Sequence, residues 1–146
     1  MLKWLFTLSV ALVVALMAMK GQAAELTVTV KGLRNNEGML RMALFDAAKE
    51  FPRGDEIASR DVPAVKGQVL VVFPGVTPGD YAIAIHHDEN DNQEMDTFIG
   101  FPLEGFGFSR DAKVAAFKPP PFKEASFNVG SDDLTTSLSV VYWVSP

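Results

Sequence analysis

The stretch GQVLVVFPGVTPGDYAIAIHH, Gly67 to His87, contains two extended runs and the turn that joins them. Val69 to Phe73 is an unbroken apolar run between Gly67 and Pro74-Gly75, the pattern of a central strand buried on both faces. Asp80 to His87 alternates instead, with Tyr81, Ile83, Ile85 and His87 on one face and Ala82, Ala84 and His86 on the other. Pro74-Gly75 and Pro78-Gly79 punctuate the connection, which is too short for a helix. The stretch therefore reads as strand, turn, strand.

Upstream, Leu26 to Val30 alternates apolar residues with Thr27 and Thr29 and predicts a half-buried first strand. Gly32 to Gly38, with Asn35-Asn36 inside it, is expected to reverse the chain. Met39 to Phe45 then puts Leu40, Met42 and Leu44 on one face and Arg41 and Ala43 on the other, and is expected to pair with the first strand as a hairpin. Asp46 to Phe51 predicts one helical turn stopped before Pro52, and Ile57 to Val62 a weak strand.

Downstream, Ala112 to Phe117 is expected as a short edge strand and Pro119-Pro120-Pro121 as a stiff extended connector. Ala125 to Val129 and Thr136 to Val144 are expected to close the fold. No segment is an amphipathic helix long enough to cover a sheet. The expected class is all-β, an antiparallel β-sandwich of about seven strands with one long loop after the central strand. An outer-membrane barrel is a poor fit, because residues 90–124 hold several prolines and no lipid-facing alternation.

Lys3, the apolar run Trp4 to Met19, and Lys20-Gly21-Gln22-Ala23-Ala24 follow the order of a signal peptide. Cleavage after Ala23 places Gly21 and Ala23 where small side chains are wanted. The expected organisation is a signal peptide over residues 1–23 and a single β-sandwich domain over residues 24–146, exported to the periplasm or secreted, with no membrane span after cleavage. The formal net charge of −5 becomes more negative once Lys3 and Lys20 leave, which argues against nucleic acid or an anionic membrane as partner. With no cysteine, the chain has no disulfide framework, no lipidated cysteine and no thiol chemistry.

The second informative stretch is His86 to Ser109, HHDENDNQEMDTFIGFPLEGFGFS. Asp88, Glu89, Asp91, Glu94, Asp96 and Glu104 follow one another with no Lys or Arg before Arg110. Such carboxylates repel unless they spread into water or share a cation. Asp88, Asn90 and Asn92 alternate, as at positions one, three and five of a calcium loop; Glu94 would give a backbone carbonyl at position seven, and Asp96 stands at nine. Gln93 where such loops want Gly, Ile99 where they want a bidentate Glu, and the lack of flanking helices exclude an EF-hand. A related calcium loop at a strand end remains, with Glu104 reaching in from the far side. Two other readings stay open: a solvated turn whose Asp and Asn side chains bond their own backbone, and a transition metal on His86, which shares the Asp88 face, with a further carboxylate.

The same loop carries Phe98, Phe101, Phe106 and Phe108, followed by Phe117 and Phe122. These rings either pack the loop onto the sandwich or offer a patch to a partner, an envelope or extracellular protein ahead of a glycan. No catalytic residue is assigned. Ser109 lacks the Gly-x-Ser-x-Gly context of a nucleophile elbow, and a hydrolase built on paired carboxylates is the third reading.

At Pro78-Gly79-Asp80-Tyr81-Ala82, His87-Asp88-Glu89-Asn90-Asp91-Asn92, Asp96, Gly100 to Ser109 and Pro120 to Ala125, the chain resembles a secreted bacterial family, domain of unknown function 2141. The resemblance spans most of residues 25–143. It implies an exported protein of no established activity, and family members usually carry Gly where this chain has Gln93. Phe73-Pro74-Gly75 to Tyr81 also resembles a turn of carboxypeptidase-regulatory-like and collagen-adhesin-B-like sandwiches, an analogy of fold alone that points to an immunoglobulin-like or transthyretin-like arrangement. The expected protein is a non-catalytic exported module whose acidic loop binds calcium and steadies the aromatic loop.

Overall fold

The computed structural model describes residues 22–145, so all but Gln22 and Ala23 of the expected signal peptide lies outside the described residues. The regular structure of the described residues is almost wholly strand: β1 (Ala24–Leu33), β2 (Met39–Phe45), β3 (Ala58–Pro63), β4 (Gly67–Val76), β5 (Gly79–Asp88), β6 (Thr97–Phe98), β7 (Phe101–Pro102), β8 (Gly105–Phe108), β9 (Phe127–Val129) and β10 (Leu134–Ser139). Two short helical turns interrupt them, a 3-10 turn at Ser109–Asp111 and α1 (Phe122–Ala125). No helix among the described residues is long and apolar enough to cross a membrane.

Two sheets form the sandwich. One has the order β10-β1-β4 and the other β3-β2-β5-β8, with β9 pairing the opening of β5 at Gly79 to Tyr81. All ladders are antiparallel except that of β1 with β10, which runs parallel. The alternation read from the sequence decides what is buried. Leu26, Val28 and Val30 of β1, Val71 and Phe73 of β4, and Leu138 of β10 share one core with Leu40, Met42 and Leu44 of β2 and Ile83 and Ile85 of β5. Tyr81 joins that core and donates its hydroxyl to the Thr77 carbonyl at 2.7 Å, pinning the turn that precedes it. A smaller core of Phe45, Phe51, Ala82 and Ala125 lies apart from it, with Ala43, Ala84, Phe108 and Phe122 packed alongside.

Several local expectations are corrected. β1 and β2 do not form a hairpin: the Gly32 to Gly38 turn carries the chain from one sheet to the other. The apolar run in β4 is not central, since β4 ends its sheet and Leu70 is 62% exposed. Arg60 of β3 covers that edge instead, donating to the Val72 carbonyl at 3.2 Å and lying over the Phe73 ring. Ala112 to Phe117 is not a strand; Ala116 and Phe117 take positive φ in a tight turn closed by two hydrogen bonds between Ala115 and Lys118. The last ladder ends at Ser139 rather than Val144, and Val141 bridges back to Phe106.

β8 is a strand inside what reads as loop. Its glycines are required by close approach: a Cβ on Gly105 would overlap Val140 and the Tyr142 ring, and one on Gly107 would overlap the Ser139 carbonyl. Two small residues thus let β8 lie against the C-terminal segment.

Candidate metal and ligand site

The pairing registers lay out the outer face of the five-stranded sheet in rows. Asp61, Arg41, His86 and Phe106 form one row across β3, β2, β5 and β8. Ser59, Ala43, Ala84 and Phe108 form the next. The first row is polar at one end and aromatic at the other. The second is floored by two alanines, which leaves room above it.

Beyond His86 the strand ends at Asp88, fully buried despite its charge. Its carboxylate accepts from Arg41 Nε at 2.7 Å, from the Gln93 N–H at 2.8 Å and from the Asn92 N–H at 3.1 Å. Burial pushes the group up, but the Arg41 guanidinium and the two N–H groups outweigh it and hold the carboxyl below the usual range. Arg41 also reaches Asp61 and Asp91, so three carboxylates share one guanidinium. Glu89 is held low chiefly by Arg34, against opposing burial, with Asn35 helping. The cations missing from the acidic stretch come from β2 and from the turn before it.

Glu104 braces the loop from beneath. It is buried, and accepts from the Glu89 N–H at 2.9 Å, the Asp96 N–H at 3.1 Å and His86 Nε2 at 2.8 Å. His86, Asp88 and Glu104 can bring ligand atoms within 4.8 Å of one another. His87, on the opposite face, is sealed in the core: Nε2 donates to the Glu37 carbonyl at 2.8 Å, leaving Nδ1 to accept from the Tyr142 hydroxyl at 2.6 Å.

The rest of the acidic motif gathers separately, at the surface. Asn90 Oδ1 accepts from the Asn92 N–H at 3.2 Å and Asn92 Oδ1 from the Glu94 N–H at 2.9 Å, successive side-chain turns. Their amide nitrogens both donate to Asp96, at 2.6 and 3.0 Å. Asp88, Asn90, Asn92 and Asp96 are thereby linked around one loop, with Glu94 exposed at its rim. Gln93 adopts φ +68°, the left-handed conformation that explains why its position suits glycine.

The phenylalanines divide. Phe106 is buried and Phe108 half-buried on β8, whereas Phe98 and Phe101 sit on the small β6–β7 hairpin and are 65% and 44% exposed. Phe101, Phe106 and Phe117 each meet Trp143 edge-on, with centroids 5.4 to 6.3 Å apart. Ser109 is a structural clamp, accepting from the Ile83 N–H at 2.8 Å and donating to the Ala125 carbonyl at 2.6 Å. A cleft of about 590 Å³ opens on the outer face of the five-stranded sheet, walled by the acidic loop at Gln93 and Met95, by Pro52 to Glu56, and by Phe117 and Trp143.

Arg41, Asp61 and Trp143 were not among the residues picked from the sequence. Arg41 carries a local signal, a charged residue in an otherwise apolar strand; for Asp61 and Trp143 only the three-dimensional arrangement reveals the role. No curated protein and no solved structure matches the chain. Residues 28–137 match the model of a family described as "Uncharacterized protein conserved in bacteria (DUF2141)". With most of its length covered by that match, and with the acidic motif, the Glu104 brace and β8 all inside it, the chain belongs to this bacterial family.

Proposed function

We propose that the protein is a non-catalytic, exported β-sandwich module in which calcium locks the loop from Asp88 to Glu104 beside the outer-face cleft. The observation that carries this reading is the convergence of Asp88, Asn90, Asn92 and Asp96 through their mutual hydrogen bonds. An amide or carboxylate oxygen has two lone pairs. Asp88 Oδ1, Asn90 Oδ1 and Asn92 Oδ1 each accept one N–H, so each keeps a pair for an ion. Asp96 would exchange two amide hydrogen bonds for the cation, and the Glu94 carbonyl would complete an all-oxygen set suited to a hard, geometrically tolerant ion such as calcium. Glu104 supports this loop from its base.

Thermal unfolding in chelator, then in rising calcium with magnesium as control, tests the reading. A ligand bound only by the folded state stabilises by ~2.7 kcal/mol at a hundred times its dissociation constant. The midpoint should climb with calcium in the wild type and stay fixed in Asp96→Ala, whose half-exposed side chain can be removed without opening the core. A wild-type midpoint indifferent to millimolar calcium would sink it.

A second reading, contact with an envelope protein, draws support from the β6–β7 hairpin, where Phe98 and Ile99 are 65% and 81% exposed. Capture of a reproducible partner from envelope extract, lost in the Phe98→Ser, Ile99→Ser double variant, is the expected result; identical capture by both proteins would remove it.

A further inference from the structure

Of the carboxylates around the acidic loop, Glu104 has the least conventional counter-ion. It is 4% exposed, so its side chain is held away from water. Asp88 is met by Arg41 and Glu89 by Arg34, but among the described residues no Lys or Arg lies at ion-pair distance from Glu104. Arg34 acts on it only from further off. Its partner is His86, which carries charge only when protonated. A buried carboxylate with no fixed cation beside it points to a ligand that supplies one, because buried charges are paired or coordinate metals.

The groups around it are arranged as a ligand set. His86 Nε2 lies 2.8 Å from Glu104 Oε2, and one ligand atom from each of His86, Asp88 and Glu104 falls within 4.8 Å of the others. Both carboxylates are also aimed. The N–H groups of Glu89 and Asp96 hold Glu104, while those of Asn92 and Gln93, with Arg41, hold Asp88. Outer partners of this kind fix the direction of metal-binding side chains. One imidazole with two carboxylates suits a divalent transition ion better than calcium, which takes oxygen ligands. His86 lines the cleft, so the group is reached from that side.

We propose that His86, Asp88 and Glu104 bind a divalent transition ion of the zinc class at the edge of the cleft, where water fills the position that three protein ligands leave open. The ion replaces the hydrogen bond between His86 and Glu104. This site shares Asp88 with the calcium reading but does not rest on it, since His86 and Glu104 stand outside the set Asp88, Asn90, Asn92 and Asp96.

Zinc is the probe, titrated by calorimetry into calcium-free protein while the histidine rings are followed by NMR. The chain has two histidines, and His87 is sealed in the core. One zinc per chain should bind and shift the ring nitrogens of His86 far more than those of His87. His86→Gln, which keeps a donor against Glu104, should weaken zinc at least ~tenfold. Asp96→Ala should bind zinc as the wild type does, because the Asp96 contact with Glu104 is made by backbone. No binding at submillimolar zinc, zinc bound without a response from His86, or equal affinity in His86→Gln overturns the site. Loss of zinc in Asp96→Ala with His86 silent places the ion in the oxygen cluster and overturns it as well. A calcium titration of the same protein tests the calcium reading separately, and either can fail alone.

Discussion

Replacing Asp88 with alanine removes one carboxylate and strands three donors: Arg41 Nε and the N–H groups of Asn92 and Gln93. Because Asp88 is fully buried, the loss should be about 3–5 kcal/mol, far beyond that of an exposed acidic residue, and urea unfolding measures it. Asp96→Ala provides the contrast, with a cost near that of a surface change in chelator. At Gln93 the direction reverses. Its φ of +68° costs a side-chain-bearing residue about 1 kcal/mol, so Gln93→Gly should stabilise the loop by up to ~1 kcal/mol while Gln93→Ala gains nothing. At this scale the alternation of Asp88, Asn90 and Asn92 was legible, because side-chain turns follow local spacing. The Arg41 and Arg34 ion pairs were not, because they join residues about fifty positions apart and depend on sheet register.

The β6–β7 hairpin turns at Ile99-Gly100, both with positive φ. Such two-residue turns favour Asn-Gly, and a β-branched residue there is strained. Ile99→Asn should therefore raise the unfolding midpoint, by up to ~1 kcal/mol of stability, while stripping the hairpin of its most exposed apolar side chain. Gly107→Ala should do the opposite: its Cβ would meet backbone rather than a movable side chain, with a cost of about 1–3 kcal/mol or more and loss of the β8 contact with the C-terminal segment. Elements marked by alternation, β1, β2 and β5, stood out in the sequence. β8 did not, since Gly-Phe-Gly-Phe scores as loop until one sees what its glycines must pass. The apolar run of β4 misled for a related reason: Arg60 shields an edge that the run alone suggests is interior.

For the molecule as a whole, Asp88 and Glu89 both ionise more readily when folded than an ordinary carboxyl. The unfolded chain therefore takes up protons first as pH falls. The stability these groups contribute is complete above the ordinary range near pH 4 and is lost as pH drops through it toward their folded values. Urea unfolding across pH 3 to 6 should show this decline, shallower in Asp88→Asn; an unchanged slope in the variant would place the acid sensitivity elsewhere. The sandwich as a class was legible from strand spacing and turn residues. The crossing of the chain between sheets after β1 was not, because a turn sequence does not say which strand lies beside the next.

The parallel ladder between β1 and β10 ties the first strand to the last. A chain leaving the ribosome at roughly 5–20 residues per second presents β1 long before its partner exists. Until Ser139 has emerged, the middle strand of the three-stranded sheet has one open side and the sandwich has no complete lid. The three-stranded sheet can therefore close only when both ends of the described fold are present, so a fragment lacking β10 would keep an unpaired, aggregation-prone edge on β1.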